Sequence, residues 1–419
     1  MRRGMTVFLI LLFMVGFTVA AGYQIGEHGT RAMGMGGAFV AQASDPSAIF
    51  FNAAGLGFQT GLNIMAGATI IMPKSDFTGP TPSTTTTDME SQTFYPPHAY
   101  VTYALENGVA FGVGFFAPFG LGTKWADDWV GRYLAVQTDL QALYINPTVA
   151  YKINEKVSVG VGFSYIMGEV ELTQRVPTFS TLLPPTPAAN DGWVSLKGDG
   201  TGFSFNAGVL YKASEKVSLG LSYRSLSTIK FEGDAVFTDM QALATFFPGG
   251  TGKTELPMPA DLKAGIAYNV NEKFTVEADF EYVFWNAYKE LELDIPDGPN
   301  FPLTGAPLQT GSVDEKDYKN AYLVRLGGEY SLEKLALRLG FVYDMSPVPD
   351  KSLEPLLPDS DRLEGIIGLG YMFSENVRVD AAYQYIKASE RTVTSPTNEF
   401  PGTYNSTANL FGLTLGLSF

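Results

Sequence analysis

The feature that most constrains this chain is a repeated unit in which two alternating apolar runs are joined by a short polar turn. Six such turns occur: "LENGV" (105–109), "INEKV" (153–157), "ASEKV" (213–217), "VNEKF" (270–274), "SLEKL" (331–335) and "FSENV" (373–377). After the third, Val217, Leu219, Leu221 and Tyr223 are apolar, whereas Ser218, Gly220, Ser222 and Arg224 are small or polar. The same split sets Val157, Val159, Val161, Phe163 and Tyr165 against Ser158, Gly160, Gly162 and Ser164, and Phe274, Val276, Ala278, Phe280, Tyr282 and Phe284 against Thr275, Glu277, Asp279 and Glu281. Period-two alternation marks strands with two unlike faces. One face suits lipid and the other a lumen, which points to a transmembrane β-barrel.

Composition agrees. The 419 residues include 30 Phe, 21 Tyr and 45 Gly, abundant for a chain of net charge -15. After the first 20 residues no apolar run reaches the roughly 18 residues of a spanning helix, whereas a spanning strand needs only about 10. Arg2 and Arg3, the apolar run 5–19 and the small residues at 18–21 have the layout of a secretory signal, so 1–20 is expected to be removed. There is no Cys, so no disulfide or thiol chemistry. The acidic balance argues against nucleic acid as a partner.

Long Pro-, Gly- and Thr-rich connections close the other ends of the hairpins. The strands left between them are expected at 61–73, 97–106, 108–117, 138–153, 156–173, 200–213, 216–233, 259–271, 272–295, 317–331, 334–345, 361–374, 376–394 and 406–419. Fourteen is an even number. Short turns belong on the periplasmic side and long loops outside the cell. The fold expected is all-β, a 14-stranded antiparallel transmembrane barrel over 60–419 in the bacterial outer membrane, in contact with its lipid and monomeric.

Residues 21–59 have no hairpin partner. Asp45-Pro46 fits the start of a short helix and Gly55 a left-handed end to it, and the apolar Ile49, Phe50 and Phe51 need a surface to cover. The segment is therefore expected to be a hatch, plugging the lumen from the periplasmic side.

"GYQIGEHGTRAMGMGGAFVAQASDPSAIFFNAAGL" (22–56) resembles the N-terminal hatch of the outer-membrane long-chain fatty-acid and aromatic-hydrocarbon transporter family, the FadL type. "TDLQALYINPTVAYKINEKVSVGVGFSY", "GFSFNAGVLYKASEKVSLGLSYRSLSTIKFEG" and "LPMPADLKAGIAY" resemble it too, and the likeness spans nearly the whole mature chain. It implies passive uptake of hydrophobic molecules, most simply long-chain fatty acids, with aromatic hydrocarbons as the alternative and a general porin or a surface adhesin as more distant ones. The family's Asn-Pro-Ala hatch motif is Asn52-Ala53-Ala54 here. That leaves Asn52 as a gating residue or simply a helix cap. The family kinks its third strand, which here carries Gly112 and Gly114, to make a lateral exit. The terminal Phe419 resembles the signal read by the barrel assembly machinery.

Enzymatic chemistry finds little support. A Ser-His hydrolase would need one of only two histidines, His28 and His98, and no G-x-S-x-G surrounds any serine. "GMGG" (34–37) lacks the context of a phosphate loop. No cofactor or transition metal is expected, and Asp127-Asp128 would hold calcium weakly at most.

Candidate site residues fall in three groups. Inward parity places Phe116, Ile166, Leu323, Val342 and Ile366 in the lumen, to line an acyl tunnel or to pack against the plug. Each buried methylene is worth about 0.8 kcal/mol, so a dozen give roughly 10 kcal/mol before ordering costs. Arg224 and Lys263, with Arg325 as a third cation, would hold a carboxylate headgroup, or else close a wall network with Glu281. Outer loops 174–200 and 234–258 carry Phe179, Leu182 and Leu183, and Met240, Leu243, Phe246 and Phe247, the latter partly at helical spacing after Asp239. Such patches suit substrate capture or packing against each other as a lid.

Overall fold

Alternation over so many strands leaves no sheet edge that could face lipid, so the ring must close. The computed structural model describes residues 22–182, 185–187, 190–247, 249–294, 312–398 and 400–419. Its barrel strands, in chain order, are β1 Gly61–Thr78, β2 Pro97–Ala104, β3 Val109–Lys124, β4 Gln137–Lys152, β5 Val157–Val176, β6 Gly192–Lys212 and β7 Val217–Arg224. The second half is β8 Asp261–Asn271, β9 Phe274–Val283, β10 Ala321–Leu332, β11 Leu335–Asp344, β12 Arg362–Met372, β13 Val377–Ala388 and β14 Gly402–Ser418. Each pairs antiparallel with its neighbours, and β14 returns to β1 from Asn63↔Ser418 to Thr78↔Thr403. The barrel is closed at 14 strands.

All six polar turns lie at one end. At the other, Ser227–Thr238 and Gly250–Met258 rise as a hairpin above β7 and β8, the first strand pairing with upper β6. Strand 9 was expected to run to residue 295 but stops at Val283, where a 3-10 turn, Trp285–Ala287, folds the chain back. Strand 6 begins at Gly192 instead of 200, because its outer half pairs with β5 as far as Val176↔Gly192.

The two faces differ as alternation requires. Phe163, Leu221, Phe280 and Leu413 face outward and are exposed, whereas Ser164, Ser222, Glu281 and Thr414 point in and are buried. Residues 22–58 lie inside the ring, almost entirely buried. They form helix α1 Thr30–Gly34, helix α2 Ala48–Phe51 and a 3-10 turn, Ala53–Phe58. Inward glycines let this backbone touch the wall. A Cβ at Gly160 would sit 2.4 Å from the Ala53 carbonyl carbon, and one at Gly220 would sit 2.2 Å from the Val40 oxygen.

Gly55 is not the left-handed helix end expected of it. It lies within the 3-10 turn, and α2 stops at extended Asn52 (φ -159). There Asn52 Oδ1 accepts the Ala54 N–H at 3.2 Å while Nδ2 donates to Val40 O at 2.9 Å and to Val209 O on β6 at 3.1 Å. Asn52 is thus both a cap and a tie to the wall.

Gly112 and Gly114 do not break the third strand. Both stay in register, with Thr102 and Tyr100 on β2 and with Thr148 and Asn146 on β4. Their missing side chains make room for Ile49, which would lie 2.8 and 2.9 Å from added Cβ atoms. The irregularity comes later, at Ala117-Pro118, where the register with β4 shifts between Phe116 and Phe119. Proline has no N–H to give the ladder, so it sits at a bulge.

Candidate functional site

Beyond that bulge β3 leaves β2, whose pairing ends at His98↔Phe116, and residues 116–123 are buried on both faces. The leading segment takes the vacated edge. Ile25 N–H donates to Pro118 O at 2.8 Å, Gly120 N–H donates to Tyr23 O at 2.9 Å, and Gln24 bridges to Phe119. Residues 23–25 thereby act as a short strand that fills the gap in the wall.

Tyr23 is also the floor of an apolar cavity on the loop side of the barrel. Leu140 from β4, Leu172 from β5, Phe231 and Leu256 from the raised hairpin, and Leu357 from the β11–β12 connection wall it. Tyr23 meets Trp285 edge-on at 4.8 Å and Tyr288 at 5.8 Å, and Tyr288 meets Tyr318 at 4.8 Å. Rings in these arrangements gain beyond their buried area. Tyr23 OH donates to Pro257 O. Among the described residues one cation borders the cavity, Lys316, paired with Glu354 and with Asp314 at 2.6 Å. Burial alone would lower its ammonium, but Glu354, with Tyr288 and Asp314, outweighs that and holds it well above an ordinary lysine.

The expected headgroup cations are brought together, Arg224 and Lys263 buried and Arg325 half-buried, but around carboxylates. Lys263 Nζ lies 3.1 Å from Asp261 and 3.5 Å from Glu281, and Arg325 Nη2 lies 3.2 Å from Glu281. The wall-network alternative describes these two. Arg224 differs. Its Nη2 donates to Phe50 O at 3.2 Å, its Nε and Nη1 have no hydrogen-bond partner among the described residues, and the nearest carboxylate, Asp261, is 4.0 Å away. The Phe50 and Phe116 rings cover it at 5.3 and 5.5 Å. Phe50, from the leading segment, thus both accepts from Arg224 and covers it.

The five lumen candidates all point inward and are buried. None borders the outer cavity. Phe116 packs on Phe50 and His28, Val342 lies against Gly36, and Leu323 borders a polar cavity with Arg325 and Glu364. Phe116 and Val342 thus pack the leading segment, and all five belong to the one core it shares with the wall. The interior is not a purely apolar tunnel: Arg224, Glu277, Asp279, Glu281, Arg338, Glu364 and Asp380 are all buried on the inner wall.

Of the loop residues, Phe179 and Leu182 belong to a short strand paired with 185–187, and Leu183 lies outside the described residues. The helix expected after Asp239 is a single 3-10 turn, Gln241–Leu243, because Asp239 itself is left-handed (φ 56) and caps nothing. Met240 is buried, Leu243, Phe246 and Phe247 are half-buried, and Phe247 packs on Phe237 at 5.2 Å. The 241–243 turn touches the 179–182 strand, so the two loops meet.

Sequence reasoning missed Lys316 and the Tyr23, Tyr288 and Tyr318 floor. The one available signal was tyrosine on both sides of the long 296–316 connection.

Residues 11–419 match the family model described as "Outer membrane protein transport protein (OMPP1/FadL/TodX)". The 47 kDa outer membrane protein of Pasteurella multocida is 27% identical over 98% of this chain and 96% of its own length. The long-chain fatty acid transport protein of Escherichia coli O6:H1 is 26% identical over 88% of this chain and 87% of its own. Among solved structures, a Pseudomonas aeruginosa FadL homologue superposes with a TM-score of 0.83 at 19% identity, covering 95% of this chain and 99% of that one. The Pseudomonas putida toluene transporter TodX gives 0.70 at 18%, covering 94% and 99%. A closed 14-stranded barrel with a family match over nearly its whole length settles the assignment: this chain is an outer-membrane protein of the OMPP1/FadL/TodX transport family.

Proposed function

We propose that this protein carries long-chain fatty acids or similar amphiphiles passively across the outer membrane. Residues 21–59 act as its hatch. The apolar cavity floored by Tyr23 supports this reading most directly, because it joins a greasy chamber to a stretch of wall closed by the leading segment in place of a barrel strand. Substrate is caught where loops 174–200 and 234–258 meet, enters the cavity, and displaces residues 23–25 from β3. It then leaves sideways through the gap at Ala117-Pro118. Closure within one chain requires no second copy, which favours a monomer. Phe419, paired beside Leu62 at the end of the last strand, suits docking on the assembly machinery.

Two observations bear on the substrate. Relatives named for long-chain fatty acid transport and the spare donors of Arg224 favour a carboxylate, bound once Phe50 yields. Lys316, already neutralised by two carboxylates, favours a neutral hydrocarbon in the outer cavity. Transfer of oleate and of toluene into vesicles holding the purified protein separates them. Phe231→Glu and Leu256→Glu, which charge the cavity, should abolish transfer of both; undiminished transfer would refute the cavity as the route. Arg224→Gln should weaken oleate binding about tenfold and leave toluene alone, in line with the value of a charged hydrogen bond. Unchanged oleate binding would refute the Arg224 headgroup site and favour the hydrocarbon.

A further inference from the structure

Two buried carboxylates on β9 differ from their neighbours. Asp261, Glu281, Glu329 and Asp380 all lie within 4.0 Å of an Arg or Lys nitrogen. Glu277 and Asp279 have no such ion pair among the described residues and grip main chain instead. Asp279 Oδ2 accepts the N–H groups of Phe39 at 2.8 Å and Val40 at 3.0 Å. Glu277 accepts those of Ala41 at 2.6 Å and Gln42 at 3.2 Å. Four successive N–H groups converge because the backbone is left-handed at Gly36 and Gly37 before them (φ 68 and 72) and at Ala43 after them (φ 40). Such a concave run binds anions.

This grip is easily disturbed. Like charges two residues apart on one strand face repel, and Asp279 Oδ1 has no hydrogen-bond partner. Asp279 borders a cavity of about 10 Å3 shared with Arg325, Glu281 and Lys263. Arg325 is held there by Glu281 at 3.2 Å and by Gly36 O at 3.1 Å. Glu281 in turn accepts from Gln24 Nε2 at 2.8 Å, next to the Tyr23 floor.

We propose that Glu277 and Asp279 are the latch of the hatch and that Arg325 releases it. When Tyr23 and Gln24 are displaced, Arg325 exchanges Glu281 for Asp279 and competes with the Phe39 and Val40 N–H groups. An Arg–carboxylate pair outbids neutral donors. Glu281 keeps Lys263 as its cation throughout, so no charge is left alone. The trigger rests on the function proposed above; the latch does not.

Single-channel recording in planar bilayers tests both, because the variants should move in opposite directions. Asp279→Asn should raise ligand-free opening about tenfold or more, the scale of one lost charged hydrogen bond, and Glu277→Gln likewise. Glu277→Asp keeps the charge and should stay closed. Arg325→Gln should cut oleate-triggered opening about tenfold, and the Asp279→Asn/Arg325→Gln double variant should behave like Asp279→Asn. Heat-resistant migration on gels confirms that each barrel is folded. A folded Asp279→Asn channel as quiet as the parent overturns the latch, and Arg325→Gln opening normally with oleate overturns the trigger. A parent channel indifferent to oleate and toluene overturns the proposed function and the trigger together, while Asp279→Asn alone still decides the latch.

Discussion

The inner wall has two unlike sectors. From β2 to β5 it presents Tyr100, Phe116, Tyr144 and Ile166, which share one apolar core with the leading segment, where Phe116 stacks with Tyr100 and Tyr144 and meets Phe50 and His28. From β7 to β13 it presents buried charge, as in the Glu329 cluster. There Arg338 lies 2.6 Å from Glu329 and 2.9 Å from Asp380, and Arg31 on α1 lies 2.8 Å from Glu329. Apolar packing is non-directional and tolerates sliding, whereas a charge network fixes one register and is costly to break. The gap in the wall falls in the first sector, where residues 23–25 bond to β3 by main chain alone, and the carboxylates that grip residues 39–42 fall in the second. In the hatch proposed above, the first attachment would yield while the second holds.

Breaking the charged side should have the largest effect. Arg338→Ala takes from Glu329 and Asp380 their most buried cation, leaving Arg31 and Arg378 beside them. Breaking a buried ion pair costs about 3–5 kcal/mol, and the two remaining arginines should hold the loss near the lower end. Urea unfolding of the barrel in lipid vesicles measures it, and Arg338→Lys, which keeps the charge, should lose less. Gly220→Ala comes next. The added methyl overlaps the Val40 oxygen, and such overpacking costs about 1–3 kcal/mol; it should push the hatch inward and raise salt conductance. Ile166→Val, in the apolar sector, should cost about 0.5–1.5 kcal/mol without altering conductance. An equal conductance change there would erase the distinction between sectors.

The smallest effect is expected outside both sectors, in the loop before β6. Burial raises the Asp191 carboxyl, but hydrogen bonds from Arg132 at 2.8 Å and Tyr133 at 2.9 Å outweigh it and hold it below the usual value. With the folded value depressed, the contact's stabilisation is complete above the unfolded value of about 3.9 and fades as pH falls through the folded one. Protection of the amides of residues 129–135, relative to their intrinsic exchange at each pH, should be flat from pH 7 to about 5 and fall only in stronger acid. Asp191→Asn should remove that acid step.

Much of the barrel was legible because lipid imposes it. Val217, Leu219, Leu221 and Tyr223 had to be apolar in alternation, and no tertiary partner was needed to read them. Inward polarity at Glu277, Asp279 and Glu281 was equally visible. Its purpose was not, because Asp279 serves backbone 240 residues away. Main-chain donors leave no mark in a sequence. Gly112 and Gly114 were misread for a related reason: a glycine that makes room for Ile49 looks the same as one that bends a strand. Lys316 was hidden because its partner Glu354 lies 38 residues on, across a strand pair.

The central claim is that a closed, plugged barrel passes hydrophobic molecules without offering a standing water-filled path. Oleate transfer and salt conductance measured on the same reconstituted protein test it most directly. Saturable oleate transfer with no steady conductance is the predicted result. Steady ohmic conductance with no oleate transfer would contradict it.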